Sequence, residues 1–309
     1  MIDSYKKYIS AISLYGILNM DYFFQKSKDN EDWLYSQIRD CSERAEIKKQ
    51  IECFWKKYRE YVPVSEQHFL SIIQEKGSFK QRWWEMILSI GLLNIGIEIQ
   101  KKKTEEGPDI LIDNPIKVSP KIYIEAIAPK EGETEDKLPE MKPGVHNLPV
   151  REFLLRLSGA FIKKYDKYKY YINSNKICEN DIYIIAISAC NLSQYDSLMD
   201  YPCIAPLKFL AGAGNLMLSP SGNFCEYRPQ IKATRNRLVE MNYFLKKEYS
   251  GISAVLYSNK DLLNYPDKPE ENFVIVKNPI AKNSIPNTFF KGIENWVFDK
   301  KLKDWIRKK

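Results

Sequence analysis

Apolar and polar residues follow two different periods along the chain, and the change between them divides it into two parts. Residues 1–76 show helical spacing almost throughout and contain a single proline at position 63. The opening stretch, MIDSYKKYISAISLYGILNM, is expected to form the first helix. From position 78 onward, short apolar runs alternate with turns. The pattern predicts an N-terminal helical region over residues 1–76 and an α/β core over residues 77–309.

The predicted core begins with an amphipathic helix, FKQRWWEMILSIGLLNIG. Three strand-like segments follow, IEIQ, DILI and KIYIEAIA, in which β-branched residues are frequent. A long loop rich in Gly, Pro and charge then leads to a second helix, VREFLLRLSGAFIKKYDKYKYYI, and to a strand, DIYIIAISA. The order helix, three strands, helix, strand predicts a layered α/β fold with a mixed central sheet.

Toward the C-terminus, the pattern predicts a helix at RNRLVEMNYFLKKEY and strands at SGISAVLYS and ENFVIVKNP. A short final helix is expected over residues 296–306. The chain ends in a basic segment, KKLKDWIRKK, which is compatible with a solvated tail or with a tail that contacts phosphates. The segment NPIAKNSIP has prolines and asparagines at turn positions but suggests no chemical role.

Two acidic residues stand where burial in a strand should exclude them: Asp109 opens DILI, and Glu125 lies inside KIYIEAIA. Side chains alternate across a strand, so Glu125 shares a face with Tyr123 and Ile127. A buried carboxylate without a partner is costly, so Glu125 must pair, take up a proton or bind a cation. If the two strands pair, Asp109 and Glu125 could converge and hold Mg²⁺. Structural pairing of Glu125 with an arginine is the alternative.

GPD at residues 107–109, followed by Glu125 in the next strand, resembles the PD-(D/E)XK nuclease superfamily. Further segments, RWWEM, IEAIAP, LRLSGAFIKKYDKY and VKNPIAKNSIP, are similar to a set of bacterial proteins with that core, over residues 80–298. The resemblance implies a restriction-endonuclease-like αβββαβ core in which Asp109, Glu125 and Glu85 hold Mg²⁺ or Mn²⁺. It implies hydrolysis of phosphodiester bonds, in DNA rather than RNA, in a setting such as restriction or phage defence.

The chain departs from the superfamily pattern at one position. The superfamily places a lysine two residues after the glutamate, on the same strand face, and Ile127 stands there. Some members take this lysine from the following helix, which here offers Lys164 as first choice, together with Arg156, Lys163 and Lys167. The other interpretation is an inactive nuclease fold that binds nucleic acid or a protein partner without cutting.

Composition adds little to this picture. The net charge of +7 is compatible with a nucleic-acid partner, but it is shared by many proteins that have none. The six cysteines include no CxxC pair, which argues against a zinc site and favours reduced thiols in a cytoplasm. No run approaches eighteen apolar residues, so no membrane span is expected. Cleavage of both strands by this fold often implies a homodimer.

Overall fold

The computed structural model of the chain describes residues 22–26, 28–102, 104–112, 120–133, 135–140, 142–145, 147–192, 199–200, 203–218, 222, 224–286 and 288–308. The helix expected within residues 1–20 lies outside them. The chain divides into two compact units, Met1–Ile90 with Lys101–Glu105, and Gly91–Gln100 with Glu106–Lys309. The α-helices of the described residues are α1 Trp33–Asp40, α2 Ala45–Tyr58, α3 Glu66–Gln74, α4 Phe79–Asn94, α5 Val150–Asn173 and α6 Ala205–Leu210.

The first unit has an aromatic interior built by its helices. Trp55 of α2 stacks on Phe69 of α3 with ring centroids 5.6 Å apart, and both side chains are buried. Asp32 begins α1 by accepting the N–H groups of Leu34 and Tyr35 at 3.0 and 3.3 Å. This capping interaction provides an acceptor for backbone N–H groups that the first helical turn leaves without partners. Asp32 therefore fixes where α1 begins.

The second unit is organised around a mixed sheet of seven strands, in the order β1-β2-β3-β8-β9-β10-β11. The pairs β2/β3, β3/β8 and β9/β10 are parallel, and β1/β2, β8/β9 and β10/β11 are antiparallel. Two further pairs, β4/β5 and β6/β7, form separate two-stranded sheets. The strands are β1 Ile110–Ile112, β2 Ile122–Ile127, β3 Ile182–Ser188, β4 Ala213–Met217, β5 Phe224–Tyr227, β6 Gln230–Lys232, β7 Leu238–Glu240, β8 Ala254–Ser258, β9 Val274–Lys277, β10 Glu294–Asp299 and β11 Asp304–Lys308.

Helix α5 is the crossover connection between the parallel strands β2 and β3, which cannot be joined by a tight turn. Its apolar stripe packs in one cluster with one face of these strands. That cluster includes Phe153, Leu157 and Phe161 from the helix, with Tyr123 and Ile127 from β2. Every residue of β2, β3 and β8 is buried, which explains why these strands read as continuous apolar runs.

The prediction of a mixed α/β fold with a mixed central sheet is confirmed. The elements α4, β1, β2, α5 and β3 follow one another in the predicted order. The segment IEIQ is reduced to one bridge, which pairs Ile99 with Ile112.

The predicted final helix over residues 296–306 is wrong, because this segment forms the hairpin β10–β11. Phe298 pairs with Trp305 across the two strands, with ring centroids 5.9 Å apart. Asp299 closes the turn by accepting the N–H groups of Lys301 and Leu302 at 2.8 and 3.1 Å. Aromatic residues suit either element on periodicity alone, and here cross-strand pairing of the rings selects the strand.

The predicted helix at RNRLVEMNYFLKKEY is also wrong. Leu238–Glu240 is strand β7, and two short 3₁₀ turns, Tyr243–Leu245 and Lys247–Gly251, follow it. Arg235 and Asn236 have φ of 60° and 58°, in the left-handed region. A right-handed helix cannot include two such residues, so the segment folds back as a hairpin instead.

The segment NPIAKNSIP has a structural role that its sequence did not suggest. The buried Asn278 donates through Nδ2 to the carbonyl oxygens of Tyr249 and Ile252 at 3.1 and 2.8 Å, and its Oδ1 accepts the N–H of Ile280 at 3.1 Å. One side chain therefore satisfies three backbone groups near the start of β8.

We predict that Asn278→Ala lowers the free energy of unfolding by about 2 kcal/mol, because it leaves buried carbonyl groups without donors. The matched control is Asn94→Ala, since Asn94 is exposed and its side chain bonds only at the surface, to Glu270 at 2.9 Å. Asn94→Ala is expected to lower the free energy of unfolding by less than about 0.5 kcal/mol. Denaturant unfolding followed by circular dichroism measures both values, and equal losses would contradict the assigned role.

Candidate active site

The pairing of β1 with β2 places Asp109 opposite Glu125. Ile110 stands opposite Ile124 in this antiparallel pair, so the next opposed residues are Asp109 and Glu125. Opposed residues of an antiparallel pair share a face of the sheet. The Asp109 carboxylate also accepts the N–H of Ala126 through Oδ2 at 2.7 Å, which holds it at the edge of β2. The strand pairing on which the predicted convergence depends is therefore present.

The residues before Asp109 explain how the chain enters β1. Gly107 has φ +85°, a left-handed conformation that glycine adopts without a steric penalty. Pro108 is buried and fixes its own φ, so the chain leaves the turn in an extended direction. The GPD sequence thus delivers the carboxylate to the first position before the strand.

Helix α5 supplies two cations to the buried carboxylate. Lys164 Nζ donates to Glu125 Oε1 at 2.7 Å and lies 3.7 Å from Asp109 Oδ2. Lys167 Nζ donates to the same Glu125 oxygen at 2.5 Å. Residues three apart share a helix face, so one face of α5 presents both ammonium groups to β2. We call Asp109, Glu125, Lys164 and Lys167 the carboxylate–lysine cluster.

The cluster combines a fully buried Glu125 with formal neutrality, since two carboxylates face two ammonium groups. The Glu125 side chain is 0% exposed and that of Lys164 is 11% exposed, whereas Lys167 reaches solvent at 41%. Burial, followed by the charge of Asp109, raises the pKa of Glu125, and the two lysines oppose that rise. Burial and the nearby negative charge of Glu125 also raise the pKa of Tyr171.

Two buried oxygens in this region have no hydrogen-bond partner among the described residues: Glu125 Oε2 and the hydroxyl of Tyr183. Buried polar atoms in folded proteins are normally satisfied by protein, water or an ion. The Glu125 charge contributes to a raised pKa of Tyr183, after the larger effect of burial. The cluster therefore has an acceptor oxygen available for a further ligand.

This donor set fits a small divalent cation. Mg²⁺ takes oxygen ligands and commonly binds through one or two carboxylates together with water and phosphate oxygens. Asp109 and Glu125 supply two carboxylates, one with an unpartnered oxygen. Within the described ranges, no three His, Cys, Asp or Glu side chains come together as a metal-binding group. Lys164 lies near both carboxylates, so its ammonium group would compete with a cation there.

Two further residues were predicted for the site, Glu85 and Arg156. Glu85 belongs to the first unit, where Arg82 Nη1 lies 2.7 Å from its Oε2 and Gln81 donates to its Oε1 at 2.9 Å. Arg156 lies on α5, eight residues before Lys164, which is about 12 Å along the helix. Its Nε is buried and has no hydrogen-bond partner among the described residues. The roles assigned to Glu85 and Arg156 stay predictions.

Sequence reasoning missed the tyrosines of this region. Tyr171 follows Lys167 by one helical turn, and the Lys167 ammonium lies 5.5 Å from its ring centroid. That spacing was a usable signal, since residues four apart on a helix are neighbours. Tyr183 of β3 stands beside Tyr123 of β2 in a parallel register, and no local pattern in the sequence specifies that pairing.

Comparison of the chain with protein-family models, with curated proteins and with solved structures finds no match. Its class is therefore defined by its own fold and site: a mixed α/β protein whose central sheet carries a buried carboxylate–lysine cluster. Of the helices that the structure describes, none is both long and apolar enough to cross a membrane.

We predict that Lys164→Met lowers the free energy of unfolding by about 2–3 kcal/mol at pH 8, because breaking a buried ion pair leaves an uncompensated charge. Lys167 keeps part of the compensation. The control is Lys163→Met on the same helix, whose side chain is exposed, with an expected change below about 0.5 kcal/mol. Denaturant unfolding measures both values.

The loss of unfolding free energy caused by Lys164→Met should become smaller as the pH falls from 8 to 5. Lys164 lowers the pKa of Glu125, so its removal lets that pKa rise further above the ordinary value of 4.5. The folded variant then holds the Glu125 proton more tightly than the unfolded chain does, and protonation relieves the unfavourable charge. A deficit that is independent of pH would show that lost packing, rather than charge, causes it.

Proposed function

We propose that this protein is a metal-dependent nuclease with a restriction-endonuclease-like core, which hydrolyses phosphodiester bonds in DNA. The observation that carries the proposal is the convergence of Asp109, Glu125 and Lys164 at one point of the sheet. Two carboxylates and a lysine are the groups that such a reaction requires. The order of α4, β1, β2, α5 and β3, with β1 antiparallel and β3 parallel to β2, supports the same assignment.

The lysine from α5 replaces the one that the strand lacks. Ile127 is packed in the apolar cluster beneath α5, so its position on the strand contributes to the core and not to the site. Lys164 reaches the same carboxylates from the helix above. Since the superfamily pattern requires a cation near the acids rather than at one fixed sequence position, the substitution at Ile127 is compatible with activity.

Each residue of the cluster has a distinct task in this reaction. Asp109 and Glu125 would hold Mg²⁺ or Mn²⁺, which supplies Lewis-acid polarisation of the phosphodiester and a more acidic bound water. Lys164 donates hydrogen bonds, so it can orient the attacking water and stabilise charge that develops on phosphate oxygens. Lys167 is more exposed and is suited to contact a neighbouring phosphate. Glu85 and Arg156 remain the further predicted participants.

A second candidate function is binding of nucleic acid or a protein partner without cleavage. The observation that favours it is the formal neutrality of the cluster, because Lys164 and Lys167 already compensate Asp109 and Glu125. Such a cluster is electrostatically stable without a divalent cation. A cytoplasmic location, a homodimer and a setting in restriction or phage defence accompany both candidates as predictions.

We predict that the full chain cuts plasmid DNA when Mg²⁺ or Mn²⁺ is present and stops when the metal is removed with EDTA. Asp109→Asn, Glu125→Gln and Lys164→Met should each lower the initial rate by about 100-fold or more, since each removes a ligand or donor that acts in the transition state. The control is Lys169→Met on α5, because Lys169 is exposed and pairs with Asp166. Gel electrophoresis of timed samples measures the rates, and circular dichroism confirms that each variant is folded.

If all three site variants cut DNA at the wild-type rate, the activity would come from a contaminant. That result would contradict the proposal. Binding of DNA by the wild type without any cleavage, under every metal condition, would favour the second candidate. A calorimetric titration with Mn²⁺ adds an independent readout, because Glu125→Gln should weaken metal binding even where no substrate is present.

A further inference from the structure

The β6–β7 hairpin has a basic tip. Lys232, Arg235 and Arg237 lie at or beside its turn, and all three are exposed. Within the described part of the chain, none of their side chains forms an ion pair or a hydrogen bond. Arg235 adopts φ 60° and ψ 30°, which is uncommon for a residue with a side chain. Strained backbone of this kind is often found at binding sites.

The tip is fixed in place by a largely buried carboxylate. Asp136, which is 8% exposed, accepts the N–H of Thr234 at 3.1 and 3.0 Å from its two oxygens. Arg151, in the first turn of α5, lies 3.2 Å from the same carboxylate and also donates to the carbonyl of Lys232 at 3.4 Å. The hairpin tip is therefore tied to the N-terminal end of the helix that carries the cluster lysines.

Helix α5 carries both Arg151, which contacts the hairpin tip, and the cluster lysines. Arg151 precedes Lys164 by thirteen residues, which corresponds to about 20 Å along the helix axis. Arg156 also lies on this helix, eleven residues before Lys167. This spacing places Arg156 and Lys167 on the same side of the helix. Basic side chains thus occur at the hairpin tip and, on α5, at Arg156 and Lys167.

Acidic residues nearby restrict where a polyanion can lie. The loop that carries Asp136 also carries Glu133 and Glu135, which are both exposed. Their charge repels phosphate, whereas the tip residues attract it. Charge complementarity therefore directs a polyanion to the hairpin tip rather than along the loop.

We infer that the β6–β7 hairpin is a DNA-binding element that enters the major groove of a B-form duplex while Lys167, the most exposed member of the carboxylate–lysine cluster, contacts the phosphate backbone. A two-stranded β-ribbon fits the major groove of B-DNA, about 12 Å wide, but side chains cannot read the narrow major groove of A-form RNA. The inference rests on the proposed function for its choice of nucleic acid as partner.

The test compares two double variants that remove equal charge. Arg235→Gln/Arg237→Gln alters the tip, and Lys268→Gln/Lys291→Gln alters two exposed lysines elsewhere in the second unit. Binding of a fluorescent DNA duplex is measured by anisotropy across a range of salt concentrations, in EDTA so that no cleavage occurs. The tip variant should weaken binding about tenfold or more at about 0.1 M salt. It should also reduce the slope of log affinity against log salt by about 1.8, or about 0.9 for each phosphate that the tip no longer neutralises. The control should change the slope by much less.

Each outcome decides the inference. Equal slopes for the two double variants, or a wild type that does not bind duplex DNA, would overturn it. The same weakening on double-stranded RNA or single-stranded DNA would overturn the assignment to the B-form major groove. Because binding is measured without metal, a wild type that never cuts, paired with a tip variant that shows the expected weakening, would keep the hairpin's role and remove only the nuclease proposal. Metal-dependent cleavage by the wild type, together with unchanged DNA binding by the tip variant, would support the nuclease proposal and overturn the role of the hairpin.

Discussion

The buried charge of Glu125 is the constraint on which the second unit depends. Its side chain lies in the central sheet with no exposed surface, so compensation must come from inside the protein. Lys164 and Lys167 provide it from α5, which fixes the rotation of that helix over β2. The apolar stripe of α5, including Phe153 and Phe161, packs on the sheet in the same orientation. Replacing a buried ion pair with apolar residues of similar volume is often neutral or stabilising, so the pair fixes the placement of α5 without necessarily adding net stability.

The same helix connects the cluster to the rest of the candidate binding surface. Lys164 and Lys167 meet β2 toward its C-terminal half, while Arg151 at its start is joined through Asp136 to the β6–β7 hairpin. A helix is a stiff element, so Arg151 and Lys164, about 20 Å apart along its axis, keep a constant separation.

Much of this arrangement follows from sequence patterns, and the rest depends on long-range packing. Apolar runs identified β2, β3 and β8, and alternation placed Glu125 and Ile127 on one face. The resemblance implied that a lysine could act from the following helix, and the three-residue spacing of Lys164 and Lys167 placed them on one face of it. The hairpins β6–β7 and β10–β11 were not found, since left-handed φ at Arg235 and ring pairing of Phe298 with Trp305 have no local signature. The sequence also did not show that two lysines would neutralise the two acids.

One oxygen of Glu125 has no hydrogen-bond partner among the described residues. If Glu125 served only to hold α5, hydrogen bonds from the lysines to both of its oxygens would be the better arrangement, because an unsatisfied buried acceptor is costly. Instead both lysines share Oε1, and Oε2 has no partner among the described residues. Lys164 also lies 3.7 Å from Asp109, too far for a strong hydrogen bond, so that carboxylate is only partly engaged by it. An acceptor left open beside a partly engaged carboxylate is the arrangement that a cation or an ordered water would complete.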